Sequence, residues 1–363
     1  MDWVSILKCP ITGQDLRLLN KDEISILATK DLWQVDGESL KEKIEDGLIT
    51  LDTKYIYPII NGIILLLEDL AIVDLPRKVL GQGISKEKKL VKDFYDNRGW
   101  KTNEKGDYED ADIFEDLRPV SQEYLKKCHD RVCRHLNPSG NYLLDAASGA
   151  LQYEDYLQYS ANYSFRICID LSFKGLMECK KKLGEKVICI LGDITNLPIK
   201  NNSIDGFISL NTIYHIPKDE QIQAIKELYR VLDLNRRGVV VYDWYKHSRW
   251  MNLALLPFRA IEYFRQRLRS VFSKVSGKGE PAKMLYFYTH PYSYFVNNLP
   301  FPFKLFVWRS VSVPFMKVYI HSWLFGKFIL RWIYHLEELN PEKYGLNGEY
   351  PMLVFEKTEL SKS

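Results

Sequence analysis

The chain has 363 residues, 46% hydrophobic and 27% charged, with a net charge of +3. That length allows two domains or one large domain with appendages, and the composition excludes a disordered or fibrous protein. The charge is unevenly placed: residues 246–336 carry 14 Lys/Arg against two acids, a net +12, so the rest of the chain is negative.

Residues 1–70 read as a small α+β module, opened by Leu7-Lys8-Cys9-Pro10 and closed by Tyr57-Pro58-Ile59-Ile60-Asn61-Gly62-Ile63. Cys9 is its one thiol, and a structural zinc site needs four nitrogen or sulfur ligands, so no metal is expected. Cys9 is instead expected as a small buried apolar residue. Residues 71–140 read as a linker, Pro76 to Gly83 with Lys86, Lys88 and Lys89, followed by helices. The first helix, Leu90 to Tyr95, is broken by Asn97-Arg98-Gly99-Trp100. An acidic loop, Asp107 to Asp116, precedes the second, Ser121 to Leu136, which stops at Asn137-Pro138-Ser139-Gly140.

Over residues 141–245 strands and helices alternate, which predicts a parallel α/β sheet. The apolar run from Tyr142 to Leu144 ends at Asp145 and the small-residue turn Ala146-Ala147-Ser148-Gly149, with helix expected over Tyr153 to Tyr159. A dinucleotide fold wants G-x-G-x-x-G at this turn and its acid about 20 residues later. Here the acid precedes the turn's one glycine. Phe165 to Ile169 ends at Asp170, Val187 to Leu191 leads into Gly192-Asp193-Ile194, and Leu197-Pro198 follows. A strand from Ser203 to Leu210 runs into Asn211-Thr212-Ile213-Tyr214-His215. Helix Gln221 to Leu232 and strand Gly238 to Tyr242 complete the pattern. A single Asp at a strand end is usually a cap or turn former; three at successive strand ends are harder to dismiss.

This order of signals resembles the class I S-adenosylmethionine-dependent methyltransferases, of the methyltransferase type 11-like kind. The resemblance implies a Rossmann-like seven-stranded sheet with helices on both faces, carrying a small N-terminal module and a C-terminal helical, aromatic cap. It implies S-adenosyl-L-methionine as cofactor, held by Asp145, Ala147, Gly149, Asp170, Leu171, Asp193, Ile194 and Asn211. Asp145 would serve the methionine end, Asp170 the ribose hydroxyls and Asp193 the adenine. Where the family usually has glycine, this chain has Ala147 and Leu151. His215 is the candidate general base, with a reference pKa near 6.5, and Tyr214 would shape the acceptor pocket. Packing under the next helix is the plainer reading of His215. Tyr95 and Trp100 are candidates to cover the cofactor. The N-terminal module resembles the zinc-ribbon-like activator of tRNA methyltransferases, without its zinc ligands.

Residues 246–363 are expected to supply cap insertions and the last strands. Trp250 to Phe272 reads as a basic amphipathic helix with Arg259, Arg265, Arg267 and Arg269, and Ser273 to Pro281 as its flexible connection. Phe303 to Trp308 and Met352 to Glu356 read as the sixth and seventh strands, paired antiparallel. Between them, Ser310 to Glu349 holds Phe315, Tyr319, Trp323, Phe325, Phe328, Trp332 and Tyr334 among Lys317, Lys327 and Arg331. It is read as a cap over the acceptor site. The expected reaction is methylation of a hydroxyl or similar acceptor on a small molecule, glycan or lipid-linked substrate. The basic region favours an acceptor that is anionic or membrane-associated. RNA is a less favoured acceptor, because no RNA-binding signature is visible. A non-catalytic scaffold or partner subunit is the alternative.

The six cysteines show no Cys-x-x-Cys spacing, which fits reduced thiols better than disulfides. No apolar run approaches the roughly 18 residues of a transmembrane segment, and the first residues lack a signal-peptide pattern. The expectation is a cytoplasmic protein, peripheral at the membrane surface if the basic region meets lipid.

Overall fold

Six short strands come from the first 73 residues: β1 (Leu16–Leu18), β2 (Trp33–Gln34), β3 (Gly47–Thr50), β4 (Ile56–Ile60), β5 (Ile63–Leu65) and β6 (Ile72–Val73). Seven more follow: β7 (Gly140–Ala146), β8 (Tyr163–Asp170), β9 (Val187–Leu191), β10 (Ile204–Leu210), β11 (Leu232–Val241), β12 (Lys304–Arg309) and β13 (Tyr350–Glu356). The computed structural model describes residues 3–29, 32–34, 44–73, 85–96, 100, 115–261 and 285–359. In it β9, β8, β7, β10 and β11 lie side by side and parallel. β13 runs antiparallel between β11 and β12, which leaves β12 at the edge of the expected final pair.

The central strands are apolar on both faces because helices cover both, as parallel sheets require. Leu143, Ile208 and Val239 face one core, with Leu125 and Val132 of helix α3 (Gln122–His135). Leu144, Ile167 and Phe207 face the other, with Ile225 and Leu228 of the helix Gln221–Val231. The two faces alternate residue by residue along β7, as the pleat dictates.

The N-terminal module is joined laterally to this sheet. β5 pairs in parallel with β9, Ile63 opposite Cys189 and Leu65 opposite Leu191. The Lys8 N–H donates to the Pro198 carbonyl at 3.1 Å, and the Lys200 N–H to that of Ile6 at 2.8 Å. Asn196 Nδ2 donates to the Pro10 carbonyl and to Glu68. The module therefore grips the loop that follows β9. Cys9 is buried with its Sγ 3.1 Å from the phenol oxygen of Tyr57.

Several elements differ from the sequence reading. Lys86, Lys88 and Lys89 are not linker: they open helix α2 (Lys86–Phe94), whose first turn is capped by Ser85 accepting from the Lys88 N–H. The basic helix is interrupted early. Arg249–Ala254 is helical behind a Ser248 cap, Leu255 is a turn, and helix resumes over 256–261. Arg265, Arg267, Arg269 and the connection 273–281 lie outside the described residues, as do 76–83, 97–99 and 107–114.

The insertion between β12 and β13 is helical: Val313–Tyr319, then α9 (Gly326–Leu339), then Pro341–Asn347. It was expected above the acceptor site, but α9 instead packs on α3. Its buried Glu337 accepts from Arg131 at 2.9 Å, from the Tyr124 hydroxyl at 2.7 Å and from the Ser310 N–H at 2.9 Å. A buried carboxylate with three donors is satisfied there and fixes the docking.

Also on α3, buried His129 sits 2.8 Å from Glu115 and 3.2 Å from Asp155. Burial opposes its charge, but the two carboxylates override this and hold it up at about 9. A folded pKa above the unfolded 6.5 stabilises fully below pH 6.5, and that stabilisation is lost as pH rises to 9. Denaturant unfolding should show stability falling over this window, by up to about 3 kcal/mol from this group. The slope should flatten in His129→Asn.

Candidate active site

The cleft opens at the carboxyl ends of β7 to β10, where open α/β sheets place their ligands. The space in and before it, open solvent included, is about 1260 Å³. Its floor is the loop after β7, in which Ala147, Gly149 and Leu151 have φ of +57°, +56° and +52°. Ala147 and Leu151, where the resemblance implied glycine, thus keep the left-handed backbone while carrying side chains. That conformation costs an L-residue roughly 1–2 kcal/mol, so something must impose it.

The neighbouring elements do. The Ala147 and Ser148 N–H groups donate to the Ile169 carbonyl on β8, and the Gly149 N–H donates to Asp170 Oδ2 at 2.8 Å. From the helix Phe173–Leu183, Cys179 donates to the Gly149 carbonyl. Lys182 donates to the carbonyls of Ala150 and Leu151 at 2.9 and 2.7 Å. Leu151 is buried among Leu176 and Cys179, which offsets its strain. At Gly149 no side chain fits: a Cβ there would lie 2.3 Å from the indole of Trp100. That indole stacks on Tyr95 with centroids 5.0 Å apart and donates to Ser172. Both rings line the cleft.

The three strand-end acids all line the cleft and are held differently. Asp145 is buried, and Arg166 donates to its Oδ2 through Nε and Nη2 at 3.0 and 2.5 Å. Its Oδ1 makes no hydrogen bond among the described residues. Burial raises its pKa and Arg166 pulls it back. Asp170 accepts the N–H groups of Gly149 and Ser172, one on each oxygen. Burial lifts it to about 6 against those bonds. Asp193 is the most committed: Oδ2 pairs with Lys88 at 2.7 Å, and Oδ1 accepts twice from Thr195. Lys88 also pairs with Glu220. Leu171 and Ile194 complete this wall.

Also lining the cleft, Asn211 has φ +58° and a buried side-chain oxygen with no hydrogen-bond partner among the described residues. Tyr214 and His215 follow on a short 3-10 turn, both buried. His215 Nδ1 lies 2.8 Å from the Tyr286 carbonyl, and burial lowers its pKa to about 4. The carbonyl can only accept, so the neutral ring carries its proton on Nδ1 and Nε2 is its acceptor. Every candidate residue of the sequence reading therefore meets at one cleft, Ala147 included.

Lining residues that were not foreseen include Lys88, Glu115, Arg309 and Tyr350. Lys88 had a signal, since Lys88, Val91 and Tyr95 fall at i, i+3 and i+7 on one helix face. Arg309 had none. It is buried at the end of β12, its guanidinium 4.4 Å from the centre of the Tyr350 ring and 5.2 Å from that of Trp308. Behind it, burial pushes Asp243 up to about 7 and Glu349 up to about 8.

The strain at Ala147 gives a direct test. Ala147→Gly should stabilise the protein by about 0.5–1 kcal/mol, the relief at positive φ outweighing the added freedom of the unfolded chain. Denaturant unfolding of the variant against the parent measures this.

Residues 144–240 match the family model described as "Methyltransferase domain". No curated protein matches the chain. Among solved structures it resembles a Haloferax volcanii complex of the Trm112 methyltransferase activator with a methyltransferase, at 13% identity and a TM-score of 0.29. That match covers 34% of this chain and 55% of the other, so the chain spans about half of its length. Magnesium protoporphyrin IX methyltransferase from Synechocystis, with bound S-adenosylmethionine, is 19% identical over 45% of this chain and 79% of its own, with a TM-score of 0.34. The [4+2]-cyclase SpnF is 15% identical over 76% and 97%, with a TM-score of 0.40. A methyltransferase domain is therefore what residues 144–240 of this chain are similar to.

Proposed function

We propose that this protein binds S-adenosylmethionine along the 147–151 loop and methylates a hydroxyl-bearing acceptor. The observation that carries the reading is the buried, unsatisfied oxygen of Asn211 in the wall of a cleft ringed by three strand-end acids. A buried acceptor without a donor costs about 1–3 kcal/mol unless a ligand supplies one. The residues present fit the cofactor. Asp145 offers Oδ1 to its amino end, the loop lets it pass close to the backbone, and Asp170 keeps spare lone pairs for ribose hydroxyls. Asp193 acts through its ion pair with Lys88, which fixes the far wall.

When bound, the sulfonium supplies an activated methyl carbon, so the protein's task is to orient the acceptor and exclude water. His215 Nε2 accepts the hydrogen bond of the acceptor hydroxyl and takes its proton as the new bond forms. A pKa near 4 keeps the ring neutral at physiological pH but makes it a weaker base than an ordinary imidazole, so its main part is to orient the hydroxyl. Tyr95, Trp100 and Tyr214 shield the site.

Titration calorimetry with S-adenosylmethionine and S-adenosylhomocysteine tests the reading. Both should bind, and affinity should fall as pH drops through about 6, where Asp170 takes up its proton. Asn211→Gly keeps the positive φ and removes the oxygen. It should weaken binding by about 1 kcal/mol without lowering the stability of the unliganded protein. If neither compound binds the parent, the non-catalytic scaffold becomes the better reading.

A further inference from the structure

Outside the cleft lining lies a surface that methyl transfer does not explain. The turn Ser322–Leu324 and the start of α9 present Trp323, Phe325 and Phe328 to solvent at 75%, 80% and 71% exposure. Phe325 sits in the left-handed region at φ +55°, a strained conformation that displays its ring instead of packing it. Phe328 and Trp332 are four residues apart and share one face of α9, while Leu330 and Glu337 bury the other against α3. The surface continues onto a second element. The Tyr319 hydroxyl donates to the Ala254 carbonyl at 2.7 Å, which brings exposed Leu253, Leu256 and Phe258 alongside.

Single exposed apolar residues are ordinary, but a contiguous aromatic and aliphatic patch marks an interaction surface. Its charge selects the partner. No Asp or Glu occurs between residues 281 and 336, while Lys317, Lys327 and Arg259 are exposed in or beside the patch. Two copies of this face would oppose like charges. A nucleic acid would meet the charge but not the leucines. Hydrocarbon below an anionic surface satisfies both, with indole rings at the boundary and lysines at the phosphates. No helix among the described residues is long and apolar enough to cross a membrane, so contact is at the surface.

We propose that the Trp323–Trp332 face docks on an anionic phospholipid bilayer. It stands independently of the methyl-transfer reading, because none of these residues lines the cleft.

Co-sedimentation with vesicles of equal phosphatidylglycerol and phosphatidylcholine, against pure phosphatidylcholine, tests it on the full chain. The parent should pellet with the anionic vesicles, less so at high salt, and its tryptophan emission should shift to the blue. The triple variant Trp323→Ser, Phe325→Gly, Phe328→Ser should bind at least tenfold more weakly. Its unfolding midpoint should be no lower than the parent's and its S-adenosylhomocysteine affinity should match, since the altered side chains are solvent-exposed and glycine relieves the positive φ at Phe325. Lys317→Glu with Lys327→Glu should weaken binding to anionic vesicles alone. A parent that ignores anionic vesicles, or a triple variant that binds them as well, overturns the proposal. So does a parent dimer in sedimentation velocity that the triple variant abolishes, or an RNA gel shift that it abolishes while vesicle binding persists.

Discussion

The five-residue loop after β7 is held in a backbone shape that two of its side chains, those of Ala147 and Leu151, resist, and the cleft is built on it. Ala147 and Leu151 occupy left-handed conformations that glycine would adopt freely. The loop stays there because its N–H groups are taken by β8 and its carbonyls by Cys179 and Lys182. Asp170 serves two purposes in this arrangement. It anchors the loop through the Gly149 N–H, and its raised pKa makes it sensitive to what enters the cleft. Stability and binding are therefore coupled at one carboxylate.

The other side of the cleft is braced from the N-terminus. The first 73 residues extend the sheet past β9 and clasp residues 196–200, next to Asp193. Helix α2 then sends Lys88 into contact with Asp193 and Glu220. A site built on parallel strands is thus fixed by segments that precede them in the chain. The helical insertion near the C-terminus works differently. It docks on α3 through Glu337 and Leu330 and leaves its aromatic face to solvent.

The central strands were legible within a residue or two because burial on both faces leaves continuous apolar runs, except that β11 begins at Leu232, ahead of the expected Gly238, where most of its residues are polar and at most partly buried. The strand-end acids were legible because each closes such a run. Long-range placement was not. Nothing local to Ile63 announces that its strand will pair with Cys189, and nothing near Arg309 announces a place in the cleft wall. Lys88 looked like linker because its helical face is short and its partners lie more than a hundred residues away. The insertion was misplaced for the same reason. Its aromatic composition signalled a surface, but the face that docks is set by one buried glutamate among many exposed rings.

The most direct measurement is a crystal structure of the protein with S-adenosylhomocysteine. The ligand should lie along residues 147–151, with its ribose at Asp170, and place a donor within hydrogen-bond distance of Asn211 Oδ1. A ligand bound elsewhere, or one in the cleft that leaves Asn211 unsatisfied, would contradict the assignment of the site.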